Sequence, residues 1–406
     1  MHYPHGLRSL QHRDFRLFLA GQLVSLVGTW MQSVAQAWLV LELTDSAFKL
    51  GVISALQFAP MLFFSIPAGA FADRLPKRRM LFATQTALML QAFALALLCW
   101  SGHAQYWHVA VLAACYGVAT TLDVPVRQAF FVEMVGKPDL HNAIALNSAV
   151  FNAARMLGPA AAGLIIARWG VAPAFVLNGL SFLAVLLALA AIRAEGLPHP
   201  REGRSMAQDM AAGLRYARDT PVARLLLGAV LCVSLFLINH NVMVPLLARQ
   251  VLGEGARGLG LLMSALGTGA VLGALAVAWG ARPQLRVLLG SAAASAALTL
   301  ALGAVGRFWP AMAALALIGA LQIVFLANCN TILQLEVPDR LRGRVMSLYT
   351  FVFAGAAPFG SLLMGSLSEG FGASTAFAVG GAAGLLCVLG LSWDWALRTR
   401  SVPGGR

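Results

Sequence analysis

A helix needs about 20 apolar residues to cross the hydrocarbon core of a bilayer, and this chain carries twelve such runs in succession. They fall near 15–41, 49–72, 80–100, 107–126, 142–167 and 172–192, then 224–248, 258–280, 285–305, 309–330, 345–367 and 373–396. We number them spans 1 to 12. Backbone amides and carbonyls find no water in lipid, so only helices or closed barrels can span it. Runs this continuous lack the alternation of a barrel strand. Composition agrees: 59% of the 406 residues are hydrophobic and 11% are charged, against about 25% charged in soluble domains. A soluble multidomain enzyme, a disordered chain and a fibrous protein are excluded. The expected fold class is an all-α membrane protein.

A net charge of +13 would suggest nucleic acid in a soluble protein. Here 23 of the 29 basic residues fall in the N-terminus, the even-numbered loops and the C-terminus, and 5 fall on the opposite side. Cytoplasmic loops collect Lys and Arg, so topology accounts for the excess and places both termini in the cytoplasm. The expected location is the inner membrane, with no nucleic-acid partner. The run at 15–41 is too long for a signal-peptide core and is kept as span 1. Cys99, Cys115, Cys232, Cys329 and Cys387 lie far apart in apolar stretches and read as small buried hydrophobes, with no metal site.

The halves repeat. Gly69-Ala-Phe-Ala-Asp73 ends span 2 as Gly273-Ala-Leu-Ala-Val277 ends span 8; Glu133, Pro138 and Asp139 have counterparts in Glu336, Pro338 and Asp339; Pro159 of span 5 matches Pro358 of span 11. Two pseudo-symmetric six-helix bundles follow, residues 1–192 and 224–406, joined by a connector at 193–223. Met206, Met210, Leu214 and Ala217 at helical spacing predict an amphipathic connector helix on the cytoplasmic leaflet.

The loop after span 2 reads Gly69-Ala-Phe-Ala-Asp73-Arg74-Leu-Pro76-Lys77-Arg78-Arg79. It resembles motif A of the major facilitator superfamily, with Pro76 where the family has Gly. Span 5 carries Gly158-Pro159 and Gly163, which resembles the antiporter motif C with two of its glycines replaced by Ala154 and Ala162. Further similarity lies in Gly28 to Trp38, Asp123-Val-Pro125-Val-Arg127, Asn147 to Gly163 and Pro338 to Arg344. Together these resemble the enterobactin-exporter-like branch of the superfamily. The resemblance implies the two-bundle facilitator fold and export of siderophores, antibiotics or other amphipathic compounds. It also implies that motif A latches the two halves: Asp73 near the N-terminus of span 11, Arg74 paired with Asp123, and Gly69 and Arg78 completing the motif. Motif C has a second reading, small-residue packing between helices, which would use the same residues.

Span 1 bears Gln22, Ser25, Thr29, Gln32 and Gln36 on one helical face. Such a stripe faces either a water-filled cavity or neighbouring helices through hydrogen bonds. The cavity reading adds Trp30, Gln57 and Asn239, with Phe58, Phe64 and Tyr116 as stacking candidates. Arg155 lies near the bilayer midplane, where an unpaired cation is expensive. It either pairs across to Asp123, snorkels or bonds helix carbonyls, or it meets an anionic group of the substrate. Candidates for proton coupling are Asp123, Glu42 and His240; Asn328 and Asn330 form an uncharged echo of Asp123 in span 10. There is no GxxxxGK loop for ATP, no HExxH and no GxSxG elbow, so no cofactor, metal or enzymatic centre is expected. Gly267-Thr-Gly269 sits inside an apolar helix and reads as packing. The expected function is secondary active export of an amphipathic small molecule by alternating access, with protons as counter-ion and a monomer as the working unit. The alternatives are an importer or symporter of the same fold, and a non-transporting membrane sensor or enzyme.

Overall fold

The structure is a computed structural model that describes residues 5–196, 206–280 and 283–400, with the side chains at 5–6, 65–74, 206–212, 339–340 and 398–400 outside the described set. Eleven helical stretches among the described residues are long and apolar enough to cross a membrane. One of them, Tyr106–Trp169, is 64 residues long and contains a non-helical Gly136 at φ 71°, ψ 168°. That left-handed backbone suits glycine, and Pro138 follows it. Spans 4 and 5 are therefore one helical path bent at Gly136, and the total is the expected twelve. The others are Arg13–Thr44, Ala47–Arg74, Lys77–Trp100 and Ala172–Ala191 in the first half. The second half has span 7 in three pieces (Pro221–Phe236, His240–Leu246, Leu247–Val251), then Ala256–Trp279, Leu285–Leu302, Phe308–Glu336, Asp339–Phe371 and Ala373–Arg400.

Bilayer solvation shows on the surface. Exposed apolar side chains cover both halves, and exposed tryptophans ring the two ends of the spans: Trp100, Trp107, Trp169 and Trp309 at one end, Trp279 and Trp393 at the other. Such aromatic girdles sit at headgroup level. The five cysteines are free; Cys329 alone among them is buried as expected, Cys99, Cys232 and Cys387 are half-buried, and Cys115 is exposed.

The connector helix spans Met206–Asp219. Its C-terminal part packs on protein: Ala217 is buried in a cluster with Ala223, Leu226 and Val345, Gly213 approaches the Arg344 carbonyl, and the Tyr216 hydroxyl donates to Glu336 O at 3.3 Å. This end rests on spans 7 and 11, whereas a leaflet site was expected for the helix. Met206 and Met210 lie outside the described side chains.

Three hydrophobic cores decide how the halves meet. At the end bearing the termini, the first half has its own core around Phe15, Phe18, Phe130, Phe131 and Leu189. The second half has a separate one around Leu226, Val230, Phe325 and Leu333. At the far end a single core runs across both halves, through Val40, Leu50, Ala162, Leu246, Leu259 and Met364. The halves are therefore fused at the far end and hold separate cores near the termini.

The N-terminal 3-10 turn, His5–Gln11, is docked just past the bend between spans 4 and 5. Asp139 collects Gln11 Nε2 at 2.9 Å, His12 Nε2 at 2.8 Å and Arg8 Nε at 3.4 Å. These partners, the His12 hydrogen bond first, hold its carboxyl below the usual carboxylate range. A depressed folded pKa stabilises above the unfolded value of about 3.9 and is lost as pH falls through the folded one. Asp139→Asn should therefore speed tryptic cleavage after Arg8 several-fold at neutral pH. In the unsubstituted chain, hydrogen exchange at residues 7–12, corrected for intrinsic rate, should rise only below about pH 4.

Candidate functional site

Lys77 and Arg78 of motif A make ties inside the first half. The Lys77 ammonium is buried and pairs with Glu133 at 2.6 Å, so it is more than the topology signal a basic loop suggests. Arg78 donates from Nε to Leu189 O at 2.8 Å and from Nη2 to Ala190 O at 2.9 Å. It thereby covers the last carbonyls of span 6, where helix ends favour a cation. Gly69, Asp73 and Arg74 lie in span 2 with side chains outside the described residues.

Asp123 is 2% exposed. One of its oxygens accepts from Thr84 Oγ1 and Gln85 Nε2, each at 2.7 Å, and the other meets Arg127 one turn away. Among the described residues Arg155 does not pair with Asp123, one of the readings open for it; Arg127, four residues on from Asp123 in the same helix, holds that carboxylate.

The polar stripe of span 1 divides. Gln32 donates to Gln91 Oε1 at 2.9 Å and accepts from Asn178 Nδ2 at 2.7 Å, and Ser181 bonds Asn178 in turn. This stitches spans 1, 3 and 6 together, the interhelical reading of the stripe. Thr29 Oγ1 bonds its own helix at Ser25 O. Gln36 is 2% exposed and neither of its amide atoms has a partner among the described residues. Gln57 is half-buried where its carbonyl abuts Gly117 of span 4. Tyr116 packs into a small cluster with Leu88 and Phe182; Phe64 is exposed and Phe58 half-buried.

Motif C is close packing. A Cβ on Gly158 would lie 2.5 Å from Trp30 Cβ of span 1, and one on Gly163 would lie 3.0 Å from Gly260 Cα of span 8. The Pro159 carbonyl fills the same crossing against Gly260. Spans 2 and 11 cross in the same manner at Gly51 and Gly365.

At the far end the halves are also bridged by polar groups that sequence reading missed. Glu369, at the end of span 11, accepts from Ala47 N at 2.7 Å, Phe48 N at 3.2 Å and Ser46 Oγ at 3.1 Å. It caps span 2 from the other half, where the first amides lack helical partners and the dipole is positive. Arg249 pairs with Asp45 at 3.1 Å and lies over Trp38, whose indole donates to Glu42 at 2.6 Å. Glu42 is thus an exposed far-end residue. Ser54 and Ser361 hydroxyls meet across the halves at 2.9 Å, and Ser361 continues to Asn239 Oδ1 at 3.4 Å.

Asn239 and His240 sit at the break in span 7. The break frees the Leu237 carbonyl, which accepts Gln322 Nε2 at 3.1 Å. That bond turns Gln322 Oε1 toward His240 Nε2, 2.7 Å away. An amide oxygen accepts, so the proton of the neutral imidazole is on Nε2 and Nδ1 carries the lone pair. His240 also lines a cavity of about 10 Å³ with Thr299, Leu315 and Phe377, room for about one water. Asn328 bonds only its own helix at Val324 O, and Asn330 accepts from Gln334.

Arg155 has no ion pair or hydrogen bond among the described residues. Its guanidinium carbon stands 5.7 Å from the Trp30 ring centroid, and Trp30 meets Phe151 edge-to-face at 5.6 Å.

Comparison with known proteins places this architecture. The model of the transmembrane secretion effector family matches residues 5–402. The chain belongs to that family, a group of major facilitator superfamily transporters. Among curated relatives, it is 24% identical to the staphyloferrin A transporter of Staphylococcus aureus (90% of this chain, 92% of that protein). It is 27% identical to the multidrug efflux pump Tap of Mycolicibacterium fortuitum (89% and 90%) and 26% identical to enterobactin exporter EntS of Escherichia coli (88% and 85%). Among solved structures it resembles the nucleoside transporter NupG at TM-score 0.78 and 9% identity (94% and 98% covered). It also resembles a bacterial Spinster homologue in an inward-facing, unoccupied conformation at TM-score 0.70 and 14% identity (97% and 98%). These structural likenesses show the fold. Family and fold are those of transporters rather than enzymes, and the chain is a multi-pass protein of the inner membrane.

Proposed function

We propose that this protein exports an amphipathic small molecule, of the drug or siderophore kind handled by its named relatives, by alternating access in exchange for protons. One observation carries the reading: the halves share one core at the far end and keep separate cores at the end bearing the termini. Two rigid bundles that meet this way need only rock about spans 2, 5, 8 and 11 to exchange the closed end. With the termini cytoplasmic, as the basic loops indicate, the closed end is periplasmic and the cargo enters from the cell. Among the three coupling candidates, His240 has the best placement, at a broken helix with its Nδ1 lone pair left to accept. Cargo and protons are the only partners required, and a monomer suffices.

Everted membrane vesicles test this. Energised vesicles should accumulate the neutral amphiphile N-phenyl-1-naphthylamine above control vesicles, and a protonophore should abolish the excess. Accumulation only in right-side-out vesicles would make the protein an importer, and indifference to the protonophore would remove the proton.

A further inference from the structure

Arg155 is a cation in the middle of a span without a counter-ion among the described residues, and the surroundings narrow what could supply one. Every described carboxylate of the first-half helices is engaged elsewhere: Asp14 by the Arg193 and Ala194 amides, Glu42 by Trp38, Asp123 by Arg127, Thr84 and Gln85, Glu133 by Lys77, and Asp139 by Gln11 and His12. The Trp30 face offers a cation–π contact, worth about 0.5–2 kcal/mol. It accepts none of the five N–H groups a guanidinium presents. The side chain is half-buried rather than sealed, so those donors remain within reach of a visitor.

Geometry gives the visitor a path and a shape. Phe151 lies one turn before Arg155, on the same face of span 5. Ile144, Ser148 and Phe151 carry that face toward the end where the halves have separate cores, and all three are exposed. Span 8 packs on the backbone of span 5 at this level, where the Arg155 carbonyl abuts Gly267. The residue therefore stands at the inner limit of the stripe, beside two aromatic rings that meet edge-to-face at 70°.

We infer that Arg155, Trp30 and Phe151 form an anion-binding subsite for organic anions: a carboxylate, sulfonate or phenolate held by the guanidinium, with a flat unsaturated body against the two rings. This deepens the export reading and rests on it for the identity of the cargo. Charge-assisted bonds to a planar fork are strong and directional, so the subsite selects cargo by charge at a depth where neutral amphiphiles bind through their apolar bodies alone.

The test uses a matched pair: 8-anilinonaphthalene-1-sulfonate and N-phenyl-1-naphthylamine, which share one ring body and differ by the sulfonate. Binding to the full chain in phosphatidylcholine nanodiscs is read by fluorescence against empty discs. The unsubstituted protein should prefer the anion, Arg155→Ala should lose at least tenfold in affinity for it, and affinity for the neutral dye should change less than twofold. Arg155→Lys, which keeps the charge without the fork, should fall between. Equal preference for the two dyes in the unsubstituted protein overturns the subsite even if Arg155→Ala does not fold, and so does an Arg155→Ala protein that binds both unchanged. The binding assay needs no transport. Failure of the vesicle experiment with a persisting anion preference would sink export and leave the subsite standing.

Discussion

Glu369→Ala should loosen the far-end gate by about five- to thirtyfold. The carboxylate accepts two backbone amides of span 2 and the Ser46 hydroxyl, and hydrogen bonds to a charged group contribute about 1.5–3 kcal/mol each where solvent is excluded. Glu369 is solvent-exposed, so screening lowers the joint effect to about 1–2 kcal/mol, which is that factor in the open-to-closed ratio. The adjacent pair Ser54–Ser361, with hydroxyls 2.9 Å apart, supplies the reporter. In a chain whose five native cysteines are replaced, Ser54→Cys with Ser361→Cys should form a disulfide readily. Adding Glu369→Ala should slow that reaction in proportion to the opened fraction. Glu369→Gln keeps an acceptor and loses the charge, so it should fall between. A cross-linking rate unchanged by Glu369→Ala would remove the residue from the gate.

The Glu369 bridge separates what is legible in this sequence from what is not. Motif A suggested a carboxylate, Asp73, at the C-terminal end of span 2 against the N-terminus of span 11. The structure shows the reciprocal contact at the other end of the same helix pair: a carboxylate at the C-terminal end of span 11 on the N-terminus of span 2. Spans 2 and 11 run antiparallel, so each presents its positive end where the other finishes. Glu369 carried no motif and lay in a short polar break, so nothing local marked it. Only the pairing of spans 2 and 11, a relation of residues some three hundred apart, gives it a role.

The spans themselves were readable because lipid imposes a demand on continuous sequence: each run must be long enough and apolar enough by itself. Rotation of each helix about its axis is set by neighbours instead, and the sequence carries it weakly. The stripe from Gln22 to Gln36 correctly identified one polar face of span 1. It left open which neighbour that face meets, and the structure turns Gln32 toward Gln91 and Asn178. The same limit applied to Lys77 and Arg78. Their charges were visible as a topology signal, while their partners Glu133 and the end of span 6 depend on how spans 3, 4 and 6 pack. Arg155 was conspicuous in sequence because charge at midspan is rare, and its expected partner Asp123 was excluded only once Arg127, Thr84 and Gln85 were seen around that carboxylate.

Asp123 leads to the other large expected effect. Asp123→Ala should destabilise the first half by about 3–5 kcal/mol, the usual cost of removing one partner of a buried pair. Arg127 is left as an uncompensated charge whose Nε already lacks a partner, and the Thr84 and Gln85 donors lose their acceptor. The measurement is thermal inactivation of the purified protein, followed by size-exclusion recovery after heating. Asp123→Asn retains an oxygen for Thr84 and Gln85 and should lose less. Asp123→Leu combined with Arg127→Met removes both charges, and such apolar replacement of a buried pair is often neutral or stabilising, so heat resistance should return. The double variant also separates structure from coupling. If the pair only ties span 4 to span 3, protonophore-sensitive accumulation in vesicles returns with stability, and this is the expected result because all its described partners lie within one half. A stable double variant that no longer responds to the proton gradient would instead make Asp123 a proton carrier and displace His240 from that role.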